Sequence, residues 1–480
     1  MSPSLPYGLN SWLPVLRGGA APTVFIDAGD ERSQAQLAEA WKDLPAGGRI
    51  VLQSTAAPGS RATLAPLEKA IAQDGQVERF VVFPGTGGSF TLLSTKDGAA
   101  LRGGMALLPS GRAHGRALWA LLRAASPLGI AHRLGRPELA IWTKGPHDRE
   151  TADLPVLPVA GSVAIAAGVP DKNQKIIVRA LDRRGTARAV LKLGFSERTD
   201  DAIAREANAL KVVAELLDDR APRLLAEGRR AGRTWLAQEV LEGKHAGNDL
   251  TPLHADLLVE LAEATRDEAL LTDQPFFQDT VRNLCRLEPE VDPDWHQEYS
   301  TLCEALEHSA DGFALPTTHA HGDFTPWNVV QRRGRIRAYD WEYFAPSAPA
   351  LYDVLHFHIQ TGVLVKRHSG ERIFDGLDAL FRGPASQVVQ AASLRSEEIL
   401  QLTALYILHE GVRHELEERR NPSPFDQAAW LRHARRALCR RLAGLLAERR
   451  LPTWTELPPK SRAKNSDEHP DAGSTGKVAA

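Results

Sequence analysis

"HAHGDFTPWNVV", residues 319–330, places His321, Asp323 and Asn328 among small and apolar neighbours, and "AYDWEYF" at 338–344 adds Asp340. Asn328 lies five positions after Asp323, and Asp340 twelve after Asn328. Between them "RRGRIRAYDW" reads as a turn at Arg333–Gly334 leading into a strand that ends on Asp340, with "WNVV" as its partner strand. Such a hairpin brings Asn328 and Asp340 side by side, one short loop from Asp323. Asx residues also cap turns in ordinary loops. Grouped in this way, however, two oxygen-bearing side chains and a nearby carboxylate suit a hard cation such as Mg²⁺, which takes few protein oxygens and completes its shell with phosphates.

The remainder of the chain bounds what this site can belong to. A length of 480 residues predicts more than one domain. With 43% hydrophobic and 25% charged residues and a formal net charge of −2, the composition is that of an ordinary globular protein. It gives no general affinity for nucleic acid or anionic membrane, so no nucleic-acid partner is expected. The Ala/Arg/Leu-rich composition suits a GC-rich bacterial genome. Cys285, Cys303 and Cys439 are far apart and form no CxxC pair, which suits a reducing cytosol and a cytoplasmic location. The amino terminus reads poorly as a signal peptide, and no apolar run reaches the roughly 18 residues of a membrane span.

Short apolar runs at 23–29, 49–53, 79–85, 90–96 and 138–144, with a helical stretch between the first two, predict a small α/β module over 1–145. A Pro- and Gly-rich linker is expected at 146–161. From 162 onward three strand-like runs form an antiparallel meander, followed by a helix over about 199–217 with Thr199 and Asp200 as caps. The last third is helical, notably at 395–419 and 424–449, and a polar tail over 455–480 reads as disordered.

The His-Gly-Asp triplet, the Asn five residues after its Asp, and the Tyr-Asp-Trp-Glu strand end are similar to the catalytic loop and metal motif of the aminoglycoside phosphotransferase and choline kinase superfamily. The resemblance covers roughly 160–450. It implies an α+β bilobal protein-kinase-like fold, with a small antiparallel-sheet lobe (162–242) and a large helical lobe (243–454), preceded here by the small α/β domain. It also implies Asp323 as catalytic base, Asn328 and Asp340 as Mg²⁺ ligands, His321 as a structural histidine, and Asp353 as the acid that braces the loop. A kinase of this kind needs a strand lysine paired with a helix glutamate. Lys192 in "VLKLG" and Glu206, at the edge of an apolar helical stripe, fit that need, with Glu197 and Glu215 as flanking alternatives. Glu239, Val240 and Leu241 resemble the hinge whose backbone reads the base of the nucleotide. The cofactors implied are ATP or GTP with Mg²⁺, and the partner is a small-molecule hydroxyl acceptor of aminoglycoside, sugar or amino-alcohol type.

Some features pull elsewhere. The glycine-rich phosphate loop is reduced to Gly168 in the turn 168–174. A nucleotide-binding pseudokinase or scaffold acting through its amino-terminal module is the alternative from another class. A protein kinase is disfavoured, because "DWEYFAPSAPALYD" passes into a helix without a long activation segment. His319 and His321 lack a third ligand at zinc spacing and read as core histidines. Arg432, Arg435, Arg436, Arg440 and Arg441 read as a solvated basic face. "PGTGGSF" at 84–90 reads as a turn. Residues 27–53 resemble part of a class I methyltransferase core without its G-x-G-x-G turn, and no activity is read from them.

Overall fold

The computed structural model describes residue 13 and residues 22–27, 33–54, 75–85, 88–108, 138–145, 161–168, 173–287, 293–420 and 427–455. The linker expected at 146–161 lies outside these residues except for Gly161, as do the centre of the turn 168–174 and the tail beyond Thr455.

Ten strands, β1 (Thr23–Asp27), β2 (Arg49–Ser54), β3 (Gly75–Pro84), β4 (Phe90–Ser94), β5 (Glu138–Lys144), β6 (Ser162–Ala167), β7 (Ile176–Leu181), β8 (Ala187–Leu193), β9 (Leu224–Arg230) and β10 (Arg233–Gln238), form one continuous sheet. Its order is β1-β2-β5-β3-β4-β6-β7-β8-β10-β9. β1 and β2 run parallel, as the helix between them, α1 (Ser33–Asp43), requires. The other pairings are antiparallel. The seam between the amino-terminal strands and β6–β10 is β4 against β6, from Phe90↔Ala167 to Leu93↔Ala164. The chain boundary expected near 146–161 is therefore not a boundary of the sheet. One core cluster takes Leu13, Phe80, Leu92 and Ile141 from one side of the seam and Ile165, Val178, Leu191 and Trp235 from the other. All five residues of β4 are buried, as expected of an inner strand covered on both faces. The short helix α2 (Gly98–Gly104) covers the seam. In the turn at 84–90, Gly85 N–H donates to the Ser89 carbonyl at 2.8 Å.

The helix α3 (Glu197–Leu217) crosses behind β8 and β10. It starts two residues before the expected Thr199. Ser196 is its cap, and the Thr199 hydroxyl returns a bond from the Ser196 N–H, which makes a capping box. Asp200, the other expected cap, instead accepts from the Thr234 N–H at 2.9 Å and so ties the helix to the sheet.

The second lobe is helical: α4 (Pro252–Thr265), α5 (Pro275–Leu287), α6 (Pro293–Ser309), α7 (Tyr352–Leu364), α8 (Gly370–Asp375), α9 (Leu377–Arg382), α10 (Ser386–Ala391), α11 (Ser396–Arg420) and α12 (Gln427–Ala447). Two small sheets line its upper face. One joins β11 (Lys244–His245), β14 (Val329–Arg332) and β15 (Arg335–Ala338). The other joins β12 (Asp267–Leu270), β13 (Ala314–Ala320) and β16 (Ala345–Pro349). The basic face expected on α12 is not solvated throughout. Arg435 is fully buried against Glu410, while Arg432 pairs with Glu415 and Arg436 with Glu298. The counter-charges come from α6 and α11, which a reading of α12 alone does not contain.

Candidate active site

The β14–β15 hairpin forms as its residues predict, with Arg333 and Gly334 both at positive φ in the turn and Val329 opposite Ala338. One step beyond that register the Tyr339 N–H donates to the Asn328 carbonyl at 3.0 Å, so Asp340 emerges beside Asn328. The Asn328 amide nitrogen donates to the Asp323 backbone carbonyl at 2.9 Å and to its carboxylate Oδ2 at 2.8 Å. With its nitrogen held by two acceptors, the Asn328 side chain keeps Oδ1 for a cation. Asp340 has φ +70°, a left-handed conformation that costs a non-glycine residue free energy and that clusters at functional sites.

The loop between β13 and β14 is held from below. Buried Asp353, in the first turn of α7, accepts the His321 N–H at 2.7 Å on one oxygen and the Gly322 N–H at 3.0 Å on the other. Burial pushes the Asp353 carboxyl up from the ordinary range, against these two bonds and the nearby His321. His321 accepts the Asp323 N–H on Nδ1, so its Nε2 is left to donate to the Tyr339 carbonyl at 3.0 Å. Gly322 sits at φ +82°, and a Cβ there would lie 2.0 Å from the Tyr343 carbonyl oxygen. This close approach explains a glycine between His321 and Asp323.

Opposite the loop, Lys192 on β8 meets the expected Glu206 and, in addition, Asp340, which had been expected only as a cation ligand. Its ammonium lies 2.6 and 2.7 Å from the two oxygens of Glu206 on α3 and 2.6 Å from Asp340 Oδ1. Lys192 is 5% and Glu206 0% exposed, so the charges must compensate one another. Burial alone would lower the Lys192 ammonium, but Asp340 and Glu206 outweigh it and push it up. Two carboxylates share one ammonium and divide accordingly. Burial pushes Glu206 up, whereas Lys192 and Lys175 overcome burial and hold Asp340 well below the usual carboxylate range.

Lys175, immediately before β7, is a residue the motif reading missed. Its Nζ is 2.6 Å from Glu342 and 3.7 Å from Asp340, which puts a second ammonium beside Lys192. Only Gly168 had been available in that turn, and a lone lysine before an apolar alternation carries no motif. His356 was missed as well, although it follows Asp353 by three residues and so shares its helix face. Its Nε2 lies 3.0 Å from Asp323 Oδ1. Of the hinge residues, Glu239 donates its N–H to the Arg223 carbonyl at 2.9 Å and pairs its side chain with Arg223, while Val240 and Leu241 lie half-buried outside any strand.

Among the described residues no cluster of three or more His, Cys, Asp or Glu could hold a metal by itself. The His319 ring packs edge-on against Phe344. No described helix is long and apolar enough to cross a membrane.

No curated protein matches the chain. Similar solved structures include the GDP complex of wild-type aminoglycoside 2'-phosphotransferase-IIIa, at 14% identity and TM-score 0.42 over 58% of this chain and 93% of that one. They also include the apo form of a thermostable mutant of aminoglycoside phosphotransferase APH(4)-Ia, at 16% identity and TM-score 0.41 over 59% and 97%. A streptomycin–ATP–APH(2")-IIa ternary complex stands at 13% identity and TM-score 0.37 over 60% and 91%. Residues 172–363, which include Lys175, Lys192 and the loop at Asp323, match the model of the phosphotransferase enzyme family, APH.

Proposed function

We propose that this protein is a small-molecule kinase that moves the γ-phosphoryl group of ATP or GTP to an acceptor hydroxyl, of aminoglycoside, sugar or amino-alcohol type. The observation that carries the reading is the ammonium of Lys192 held at once by Glu206 and Asp340, residues 14 and 148 positions away in the chain, beside the Asp323–Asn328 loop. A buried Lys–Glu pair joined to a half-buried carboxylate has little to gain as a stabilising device. It has much to offer a triphosphate.

In this reading the Lys192 and Lys175 ammonium groups face the phosphates, with Lys175 serving where a glycine-rich loop is reduced. Val240 and Leu241 present backbone groups to the base. Asp323 accepts the acceptor O–H proton as the new O–P bond forms and the bond from γ-phosphorus to the β-phosphate oxygen breaks, so that the nucleoside diphosphate leaves. The Asn328 Oδ1 and the Asp340 carboxylate would hold Mg²⁺; two protein oxygens with phosphates and water completing the shell suit that ion. When bound, it neutralises phosphate charge that builds up during transfer. Asp353, through two loop N–H groups, keeps Asp323 at a fixed height. Catalysis is then mostly positioning and electrostatics.

The test is nucleoside-diphosphate release, with Mg²⁺, against a panel of aminoglycosides, sugars and amino alcohols. Asp323→Ala is expected to lower turnover by about 10²–10⁴-fold with nucleotide affinity nearly intact. Asp340→Ala is expected instead to weaken Mg²⁺–nucleotide binding. Unchanged turnover in Asp323→Ala overturns the assignment of the base.

A further inference from the structure

The base proposed above does not stand alone in the loop. Asp323 Oδ2 accepts from the Asn328 amide at 2.8 Å, and Oδ1 lies 3.0 Å from Nε2 of His356. One contact comes from the loop itself and the other from helix α7, so the carboxylate is gripped at both ends by separate elements. We infer that His356 is a positioning residue for phosphoryl transfer, which locks the plane of the Asp323 carboxylate by donating to Oδ1. This rests on the reading of Asp323 as base.

The surroundings of His356 fix which nitrogen donates. A carboxylate oxygen accepts, so Nε2 carries the proton. Nδ1 lies 3.1 Å from the Tyr406 hydroxyl, which in the neutral ring is then the donor to it. Tyr352 stacks on the ring with centroids 5.8 Å apart, and its own hydroxyl donates to Glu410 at 2.7 Å. Glu410, 3.9 Å from Nδ1, is held by Arg413 and Arg435. The imidazole is 2% exposed and has little freedom to turn. The hydrogen-bonded line Tyr406–His356–Asp323 therefore runs from the helical core to the reacting carboxylate. Rotation of the carboxylate about its Cβ–Cγ bond breaks both of its contacts together. Its other lone pairs remain for the acceptor hydroxyl, in a set orientation. Misplacement of a reacting group by about 1 Å can cost on the order of 10²-fold in rate.

The experiment uses the full chain and reads nucleoside-diphosphate release with the best acceptor of the panel or, where none is turned over, with water. His356→Phe keeps the stacked ring without a donor, and His356→Gln keeps an amide N–H near the position of Nε2. The expected result is a kcat lowered about 10–100-fold in His356→Phe, with unchanged nucleotide KM and ADP affinity. His356→Gln should recover much of the loss. Tyr406→Phe, which removes one hydroxyl without added volume, should lower kcat by less and covers the case in which His356→Phe does not fold. In parallel, ¹⁵N-histidine spectra of the wild-type protein, assigned by loss of the signal in His356→Gln, should show a proton on Nε2 of His356. A ring protonated on Nδ1 alone overturns the inference whatever the rates, because Nε2 could not then donate. Wild-type kcat in folded His356→Phe, or equal losses in His356→Phe and His356→Gln, also overturns it. Asp323→Asn in the same assay separates the two claims: an inactive Asp323→Asn beside a fully active His356→Phe sinks only the positioning role, and an active Asp323→Asn sinks the base.

Discussion

The two halves of the ten-stranded sheet are packed by the same rules and loaded differently. In the amino-terminal half, β1 to β5, the buried faces carry Trp142, Ile50 and Leu52 under Leu37 and Trp41 of α1, and Phe80, Val51 and Ile141 on the other side. In β6 to β10 one face is apolar in the same way, built from Ile165, Val178 and Leu191, whereas on the other face, beside Leu236, Lys192 has its charge met by Glu206 and Asp340. Apolar burial makes a wall. A buried charge with its partners drawn from another helix and another lobe marks a candidate site, since apolar packing alone does not call for it.

The largest expected effect falls on the wall. Trp142 is fully buried on β5 and meets Trp41 edge-on at 6.5 Å. Trp142→Ala should lower stability by about 3–5 kcal/mol, the usual cost of emptying a large aromatic site. Denaturant unfolding reads this directly, and the nucleotide affinity of the folded fraction should not move. Loss of affinity with stability kept would mean that the amino-terminal half takes part in the site.

Lys192→Met makes the opposite demand. Transition-state stabilisation should fall by about 10²–10³-fold in kcat/KM, as when a preorganised electrostatic partner is removed. Unfolding by depletion of charge is softened, because burial already pushes the Glu206 carboxyl up and it can take a proton when the ammonium is gone. The double variant Lys192→Met, Glu206→Leu should regain stability and remain inactive. Regained activity would break the distinction between wall and site.

How much of this was legible in the sequence differs along the same line. Asp323, Asn328 and Asp340 could be placed together because a turn at Arg333–Gly334 fixes the register of a hairpin, and register is local information. Lys192 and Glu206 could be paired because each is improbable alone in an apolar stripe. Lys175 and His356 could not, since their partners Glu342 and Asp323 lie 167 and 33 residues away and neither carries a motif. The continuity of the sheet was hidden for a related reason. The alternation of short strands with a helix fits a separate module as well as a sheet extension, and only the pairing of Phe90 to Leu93 with β6 decides between them. The burial of Arg435 depended likewise on carboxylates from other helices.

The smallest effect tests the seam where wall and site join. Gly185, in the turn between β7 and β8, has φ +77°, and a Cβ there would lie 2.1 Å from the carbonyl oxygen of Ala99 in α2. Gly232, in the turn between β9 and β10, has the same φ of +77° and nothing within 4 Å of such a Cβ. Alanine at either position carries the left-handed penalty of roughly 1–2 kcal/mol. At Gly185 it must also push α2 away from the β7–β8 turn. Gly185→Ala should therefore cost more stability than Gly232→Ala, and the difference isolates the contact, because the backbone strain is common to both. Catalytic constants should be unchanged in each, since neither glycine touches Lys192 or the loop at Asp323. Equal losses in the two variants would mean that α2 yields freely, so that the amino-terminal half is held to β6–β10 by the β4–β6 ladder and the core cluster shared across it.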